Sequence, residues 1–357
     1  MTTRATIEQI LELARWAPSG DNVQSHRFQI VAPDHMVVHA RDTSADTVYD
    51  LDGHPSQLAF GALLETIAIA ASGHGLRAEA ARRPLDPADP TLLLFDVRFA
   101  AAPGLAADPL IGCIETRSVQ RRPLSSRPLS APQKAALAAA LQGRYTVRWL
   151  EGFGQRLAAA RLMYNNARLR LTMPEAYEVH HRIIDWEHRL SPDRVPAQAL
   201  GVDAATLVLM KWAMVSWRRL ARVNALMGTW APRLQMDFLP GLACAAHFVL
   251  EAAAPAESID DYVAAGRAVQ RFWLTAELLD LRLQPELTPL IFSRYVCERR
   301  RFTRVEALYG LAAGLERQAA ALLFAGPGHP VFMGRLGAGK AAPARSVRKP
   351  LAQLLIP

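Results

Sequence analysis

The chain has 357 residues, 51% hydrophobic and 21% charged, which is ample for a sizeable core and excludes a disordered or fibrous protein. Its formal charge of +8 comes mostly from arginine spread along the chain, so it admits an anionic ligand, a nucleic acid or a membrane surface and selects none of them. The three cysteines, Cys113, Cys244 and Cys297, lie far apart without a C-x-x-C pair, which argues against a disulfide framework and against a cysteine zinc site.

The N-terminus runs straight into a helix without a signal-peptide pattern. The longest apolar run, around residues 204–217, is interrupted by Lys211 and is too short to span a bilayer. No basic-aromatic interleaving marks a nucleic-acid surface. The expectation is a cytoplasmic protein with no nucleic-acid partner and no membrane partner.

In chain order, Thr6 to Gln9 has a capping-box pattern, and Ile7, Ile10, Leu11 and Ala14 recur at helical spacing. Pro18 and Gly20 end that helix. Residues 28–31 and 36–40 read as a strand hairpin. Ser56 is the expected cap of a helix over 57–72 that is apolar almost all round and belongs inside the protein, with Gly73 and Gly75 terminating it. A strand over 91–99 and a Pro/Gly-rich linker over 100–109 follow. Ser130 caps a helix to about 141, and 145–150 reads as a strand. Long helical stretches are expected over 155–190 and 204–226, a strand over 241–252, and a helix from Ser258 to about 283. Core packing is the default for the apolar helix over 204–226; an interfacial membrane helix is the alternative, since Arg218, Arg219 and Arg222 stand beside the apolar run. In the Gly/Pro-rich tail, 332–336 has the pattern of a strand.

The buried helix repeats. Gly61 to Arg77 aligns without a gap on Gly266 to Arg282, with Ala71 on Ala276 and Leu76 on Leu281. The pattern predicts two α+β units, 1–107 and 108–357, the second carrying a helical insertion at about 155–230.

Three segments have chemistry-bearing spelling. In the turn from Arg15 to Phe28, Ser19, Asn22 and Gln24 suit hydrogen bonding to a polar heterocycle or sugar chain. Arg117-Ser118-Val119-Gln120-Arg121-Arg122 suits an anion, because guanidinium forks bind phosphate. Arg345-Ser346-Val347-Arg348-Lys349-Pro350 repeats the Arg-Ser-Val spelling. Each also has a plain structural reading, as an ordinary turn, a solvated basic loop and a basic terminus. Gly334 to Lys340 has the spacing of a phosphate-binding P-loop, but Ala341 stands where the Mg²⁺-binding hydroxyl belongs and Pro343 opposes the required helix. His181, Asp185 and His188 stand at i, i+4 and i+7, where a polar helix face is the expected reading and a metal the alternative.

In combination, Ala17-Pro18-Ser19, Asn22-Val23-Gln24, Phe28, Arg117-Ser118, the buried helix with Gly61, residues 332–337 and the basic tail resemble the nitroreductase-like family of FMN-dependent oxidoreductases. The resemblance implies an α+β fold of two fused units, each a mostly antiparallel sheet flanked by helices. It implies the single-chain tandem branch, a monomer acting as a pseudo-dimer, with a homodimer as the alternative. One FMN would lie between the halves, reduced by NAD(P)H or by a substrate bond and reoxidised by an organic acceptor or oxygen. Pro18, Ser19, Asn22 and Gln24 would line the ring or ribityl chain; Arg117, Ser118, Arg121, Arg345, Ser346, Arg348 and Lys349 would serve the phosphate end. No catalytic residue and no metal are implied. The alternatives are a flavin-sequestering protein with little turnover and a specialised FMN-dependent dehydrogenase or oxidase of biosynthesis. The chain departs from the family in three places: the Arg-Ser segment follows the Pro-Ser turn instead of preceding it, Ser25-His26 replaces Pro-Trp, and Gln120 replaces an arginine.

Overall fold

Ile7, Ile10, Leu11 and Ala14 are all fully buried on one face of α1 (Arg4–Ala14) in the computed structural model, which describes residues 2–357. The N-cap is Thr3 rather than Thr6: Thr3 Oγ1 accepts from the Thr6 amide at 3.1 Å. β1 (His26–Ala32) and β2 (His35–Arg41) form the expected hairpin, Phe28 opposite Val38. α2 (His54–Ser72) begins earlier than Ser56, because Gly53 at φ 74° provides the left-handed lead-in and Pro55 fits the first turn. Ser56 bonds the buried Asp50 instead. β3 (Leu76–Arg82) and β4 (Leu92–Ala101) complete the first sheet, so the stretch expected as a linker is strand as far as Ala101.

α3 (Ala131–Ala139), with its Ser130/Gln133 capping box, and β5 (Tyr145–Leu150) stand where expected. The helix expected over 155–190 is two helices, α4 (Phe153–Thr172) and α5 (Pro174–Ile183), because Pro174 cannot continue the ladder and forces Met173 into extended backbone. The short strands β6 (Ile184–Asp185), β7 (Leu190–Ser191) and β8 (Val195–Pro196) follow. His181, Asp185 and His188 therefore share no helix, and among the described residues no His/Cys/Asp/Glu group could hold a metal ion. The helix expected over 204–226 is a hairpin, α6 (Ala204–Ala213) and α7 (Trp217–Met227), broken where Ser216 caps the second arm. α8 (Trp230–Arg233) and α9 (Leu239–Leu242) flank a π-helical turn and occupy the start of the strand expected from 241, leaving β9 as Ala246–Ala252. α10 (Ile259–Leu278) ends before β10 (Leu281–Pro285). α11 (Thr288–Cys297) and α12 (Ala307–Leu323) have no counterpart among the predicted elements. β11 (His329–Ala338) carries the P-loop-like spacing as strand, in keeping with its rejection, and β12 (Arg345–Ser346) pairs with β7.

The fold is α+β, with two short two-stranded pairs, β6–β8 and β7–β12, that are parallel; its two four-stranded sheets are antiparallel and share one order. The first is β1-β2-β4-β3; the second is β5-β9-β11-β10. In each, a helix precedes the edge strand and a long buried helix joins the second strand to the other edge. The long helices, α2 and α10, cross at the glycines that align in sequence. A Cβ on Gly61 would stand 2.0 Å from the Val263 carbonyl oxygen, and one on Gly266 2.0 Å from that of Leu58. The polar contacts around the crossing mirror each other: Glu65 meets Arg271, and Thr66 meets Gln270. This is the pattern of an isologous interface, drawn within one chain. The C-terminus then returns to the first sheet, where the Phe28 amide donates to Leu354 and the Ile356 amide to Phe28.

Candidate functional site

A cavity of about 260 Å³ lies where α2, α10 and the three chemistry-bearing segments meet. Nine of the expected residues line it: Pro18, Ser19, Asn22, Arg117, Ser118, Arg121, Arg345, Ser346 and Arg348. Gln24 and Lys349 do not.

The turn is held in shape by bonds to distant backbone. Asp21, Asn22 and Gln24 have φ of 50°, 64° and 50°, left-handed conformations that non-glycine residues adopt at a cost. The Asn22 amide donates to the carbonyls of Ser191, Arg194 and Val347. The Gln24 amide donates to Asn22 and Pro192, and Gln24 Oε1 accepts from the Lys349 amide at 2.9 Å. Gln24 is thus a buried staple between turn and tail, and Asn22 has committed its donors in the same way. Ser19 Oγ accepts from the Gln24 amide, which leaves its hydroxyl proton for a ligand.

The arginines meet with no carboxylate at ion-pair distance, Asp21 being the acidic residue of the lining. Among the described residues, none of Arg117, Arg121, Arg345 and Arg348 makes an ion pair. Each donates to backbone carbonyls instead: Arg117 to Trp16 (2.9 Å), Arg348 to Ala17 (3.1 Å), Arg345 to Glu115 (2.8 Å) and Arg121 to Ala199 (3.4 Å). Burial pushes the Arg117 guanidinium down to about 10; Glu277 opposes this and Arg345 adds to it. Burial, helped by Arg117, Arg345 and Arg15, holds Arg348 well below the usual guanidinium range. Burial likewise takes Arg121 to about 10. Concentrated positive charge in a low-dielectric cavity is costly unless an anion shares it.

Several wall residues carry no signal in their local sequence. Trp273 of α10 lies under the Arg117 guanidinium at 4.5 Å. Arg117 Nε, Trp273 Nε1 and Gln284 Oε1, on residues that line the cavity, are buried without a hydrogen-bond partner. Leu58, Ala62, Val269 and Phe332 give an apolar wall suited to a flat heterocycle. Only a placed α2–α10 pair reveals these positions; in sequence they look like core. Gln120, where an arginine was expected, is buried and structural: its amide donates to the Lys340 carbonyl.

A second chamber of about 320 Å³ shares the wall formed by Pro18, Ser19, Gly20 and Asp21. Ser25 and His26 line it, with Tyr49 and, from the insertion, Val179 and Arg182. Asp21 faces both spaces. Burial raises its carboxyl above the usual range, while Arg121, Arg182 and Arg170 pull it back.

No protein-family model matches the chain, and no curated protein does. Among solved structures, the chain is similar to a nitroreductase-like family protein from Bacillus cereus, at 12% identity and a TM-score of 0.33, over 69% of this chain and 94% of that one. It is similar at the same TM-score to the FMN-dependent nitroreductase NfnB from Mycobacterium smegmatis in complex with NADPH, at 14% identity, over 68% of this chain and 94% of that one.

Proposed function

We propose that the chain is an FMN-dependent oxidoreductase made of two fused nitroreductase-like units, residues 1–107 and 108–357, that hold one FMN between them. The observation that carries this reading is the arginine cluster with no ion-paired carboxylate beside an apolar slot, lined by residues of both segments. Arg117, Arg345 and Arg348, which line the cavity, would hold the phosphate. Ser19, through its free hydroxyl proton, and Ser118 would bind the polar chain. Leu58, Ala62 and Val269 would exclude water from the ring. Bound there, FMN would supply the redox chemistry, taking electrons from a reduced nicotinamide or a substrate bond and passing them to an organic acceptor or oxygen. Asp21, whose carboxyl burial raises above its usual range, would face both spaces. The second chamber would admit the substrate, with Ser25 and His26 shaping its wall.

The test is the visible spectrum of the purified protein and mass spectrometry of what it releases. A yellow protein with about one FMN per chain, bleached by NADPH and restored by a quinone or nitroaromatic, supports the reading. A ratio near two removes the single shared site. A flavoprotein inert to every donor and acceptor is a sequestering protein instead. A colourless protein that takes up no FMN removes the flavin reading altogether.

A further inference from the structure

The insertion contains the most exposed apolar surface of the molecule. Core packing was the expectation for residues 204–226, yet α6 buries only Ala213 and α7 buries no residue. Val208 and Trp212, one turn apart on α6, are exposed, as is Val215 in the turn that follows. Leu226, Met227 and Trp230 are exposed at and just after the end of α7; Leu226 is 87% and Val208 72% accessible. Apolar surface concentrated in this way marks an interaction site. Behind it the hairpin encloses an apolar cavity of about 190 Å³, lined by Leu209, Met210, Leu220, Val223 and Met227 among others.

The hairpin's own charge has one sign, although its Lys211 is paired with Glu187 at 2.7 Å. Residues 204–230 contain Lys211, Arg218, Arg219 and Arg222 and no acidic residue. Arg218 and Arg222, one turn apart, are exposed and make no ion pair among the described residues. Arg219 lies over the Trp212 ring at 4.9 Å, which ties the cationic arm to the apolar surface.

We propose that the α6–α7 hairpin docks on an anionic lipid surface. Exposed tryptophan and aliphatic side chains next to unpaired arginines meet both demands of such a boundary, an acyl region and a negative headgroup layer. A second copy of the chain docked through the same face would set Lys211, Arg218, Arg219 and Arg222 against their equivalents. No helix among the described residues is long and apolar enough to cross a membrane, so the contact is peripheral. The proposal replaces the expectation of no membrane partner, and it does not depend on the flavin reading.

The test uses the full chain with vesicles of phosphatidylcholine alone and of phosphatidylcholine mixed with phosphatidylglycerol. The expected result is co-sedimentation with the mixed vesicles only, weakened by salt, together with quenching of tryptophan fluorescence by brominated acyl chains. Arg218→Gln with Arg222→Gln should weaken binding by about tenfold or more, since each arginine near such a surface contributes several-fold. Trp212→Ser with Leu226→Ser should abolish the quenching. All four side chains are exposed, so both double variants should melt like the parent. If either melts earlier, quenching and salt dependence of the unaltered chain decide. Failure of the unaltered chain to bind or be quenched overturns the proposal, as does binding that well-folded variants retain in full. A concentration-dependent dimer that Trp212→Ser with Leu226→Ser disrupts, without any vesicle binding, overturns it in favour of self-association.

Discussion

Two connections occupy the same place in the same topology and have become different things. Residues 15–25 join α1 to β1, and residues 140–144 join α3 to β5. Both contain left-handed residues. In the short connection these are Gln142 (φ 53°) and Gly143 (φ 71°), in an exposed turn closed by local bonds such as Gln142 to Ala139. In the long one they are Asp21, Asn22 and Gln24, and the side chains of Asn22 and Gln24 bond backbone more than a hundred residues away. Left-handed backbone in a tight exposed turn is ordinary turn geometry. The same backbone fixed by distant contacts around a cavity is pre-organisation. The comparison teaches that two sheets of one topology can share a helix crossing while only one of them carries the elaborate connection.

The largest effect tests the symmetry itself. Gly61→Ala and Gly266→Ala each place a methyl 2.0 Å from a carbonyl oxygen on the other helix, where only backbone movement relieves it. Each should cost on the order of 3 kcal/mol or more in chemical denaturation. A large loss at one position and none at the other would break the equivalence of the halves.

Next comes the pH dependence. Burial first, then Arg27, Arg348 and Lys349, lowers His26 to about 3; burial and Arg170 lower His180 to about 3. The native state refuses protons that the unfolded chain accepts near pH 6.5, so stability should fall as pH drops from about 6.5 towards about 3. His247 in the second sheet goes the other way. Burial opposes its charge, but Glu286 at 2.7 Å outweighs burial and raises it to about 10. Its contribution should be complete below about 6.5 and lost as pH rises through about 10. Urea midpoints against pH should show both limbs, His26→Phe reducing the acid limb and His247→Gln the alkaline one.

A smaller effect separates the two connections directly. On the proposed FMN site, Arg117→Ala or Arg348→Ala should weaken FMN binding by about 2 kcal/mol, roughly thirtyfold in titration. Arg144→Ala, in the short connection, should leave it unchanged. Equal losses from both would mean that the second connection also serves a site. Smallest of all, Gly143→Ala should cost about 1 kcal/mol in melting experiments and nothing in flavin uptake, because the methyl meets open space and only the left-handed backbone resists it.

Much of the fold was legible locally. The Ile7-Ile10-Leu11-Ala14 face, the Ser130/Gln133 box and the β1–β2 hairpin follow from spacing and capping alone. The Gly61/Gly266 alignment pointed to the crossing that the structure contains. The failures are equally physical. Pro174 was absorbed into a long periodic stretch, although it ends a helix. The apolar run over 204–226 was read as core because periodicity records an apolar face and not what covers it. In the site, Trp273, Gln284 and Leu58 were hidden because wall and core residues share a composition, and Asp21 passed as a turn residue.

The sequence by itself determined where α3 and α10 start, which turn is polar and which segments are basic, since those are properties of neighbours along the chain. Only the tertiary structure decided that they meet. Two glycines without side chains let α2 and α10 cross backbone to backbone, and that crossing brings Trp273 beneath Arg117. The tail reaches Phe28 through strand pairing that no local pattern specifies. Asn22 and Gln24 look like ligand donors in one dimension. In three, most of their hydrogen bonds go to the carbonyls of other segments, because a buried amide needs partners and the nearest ones are backbone.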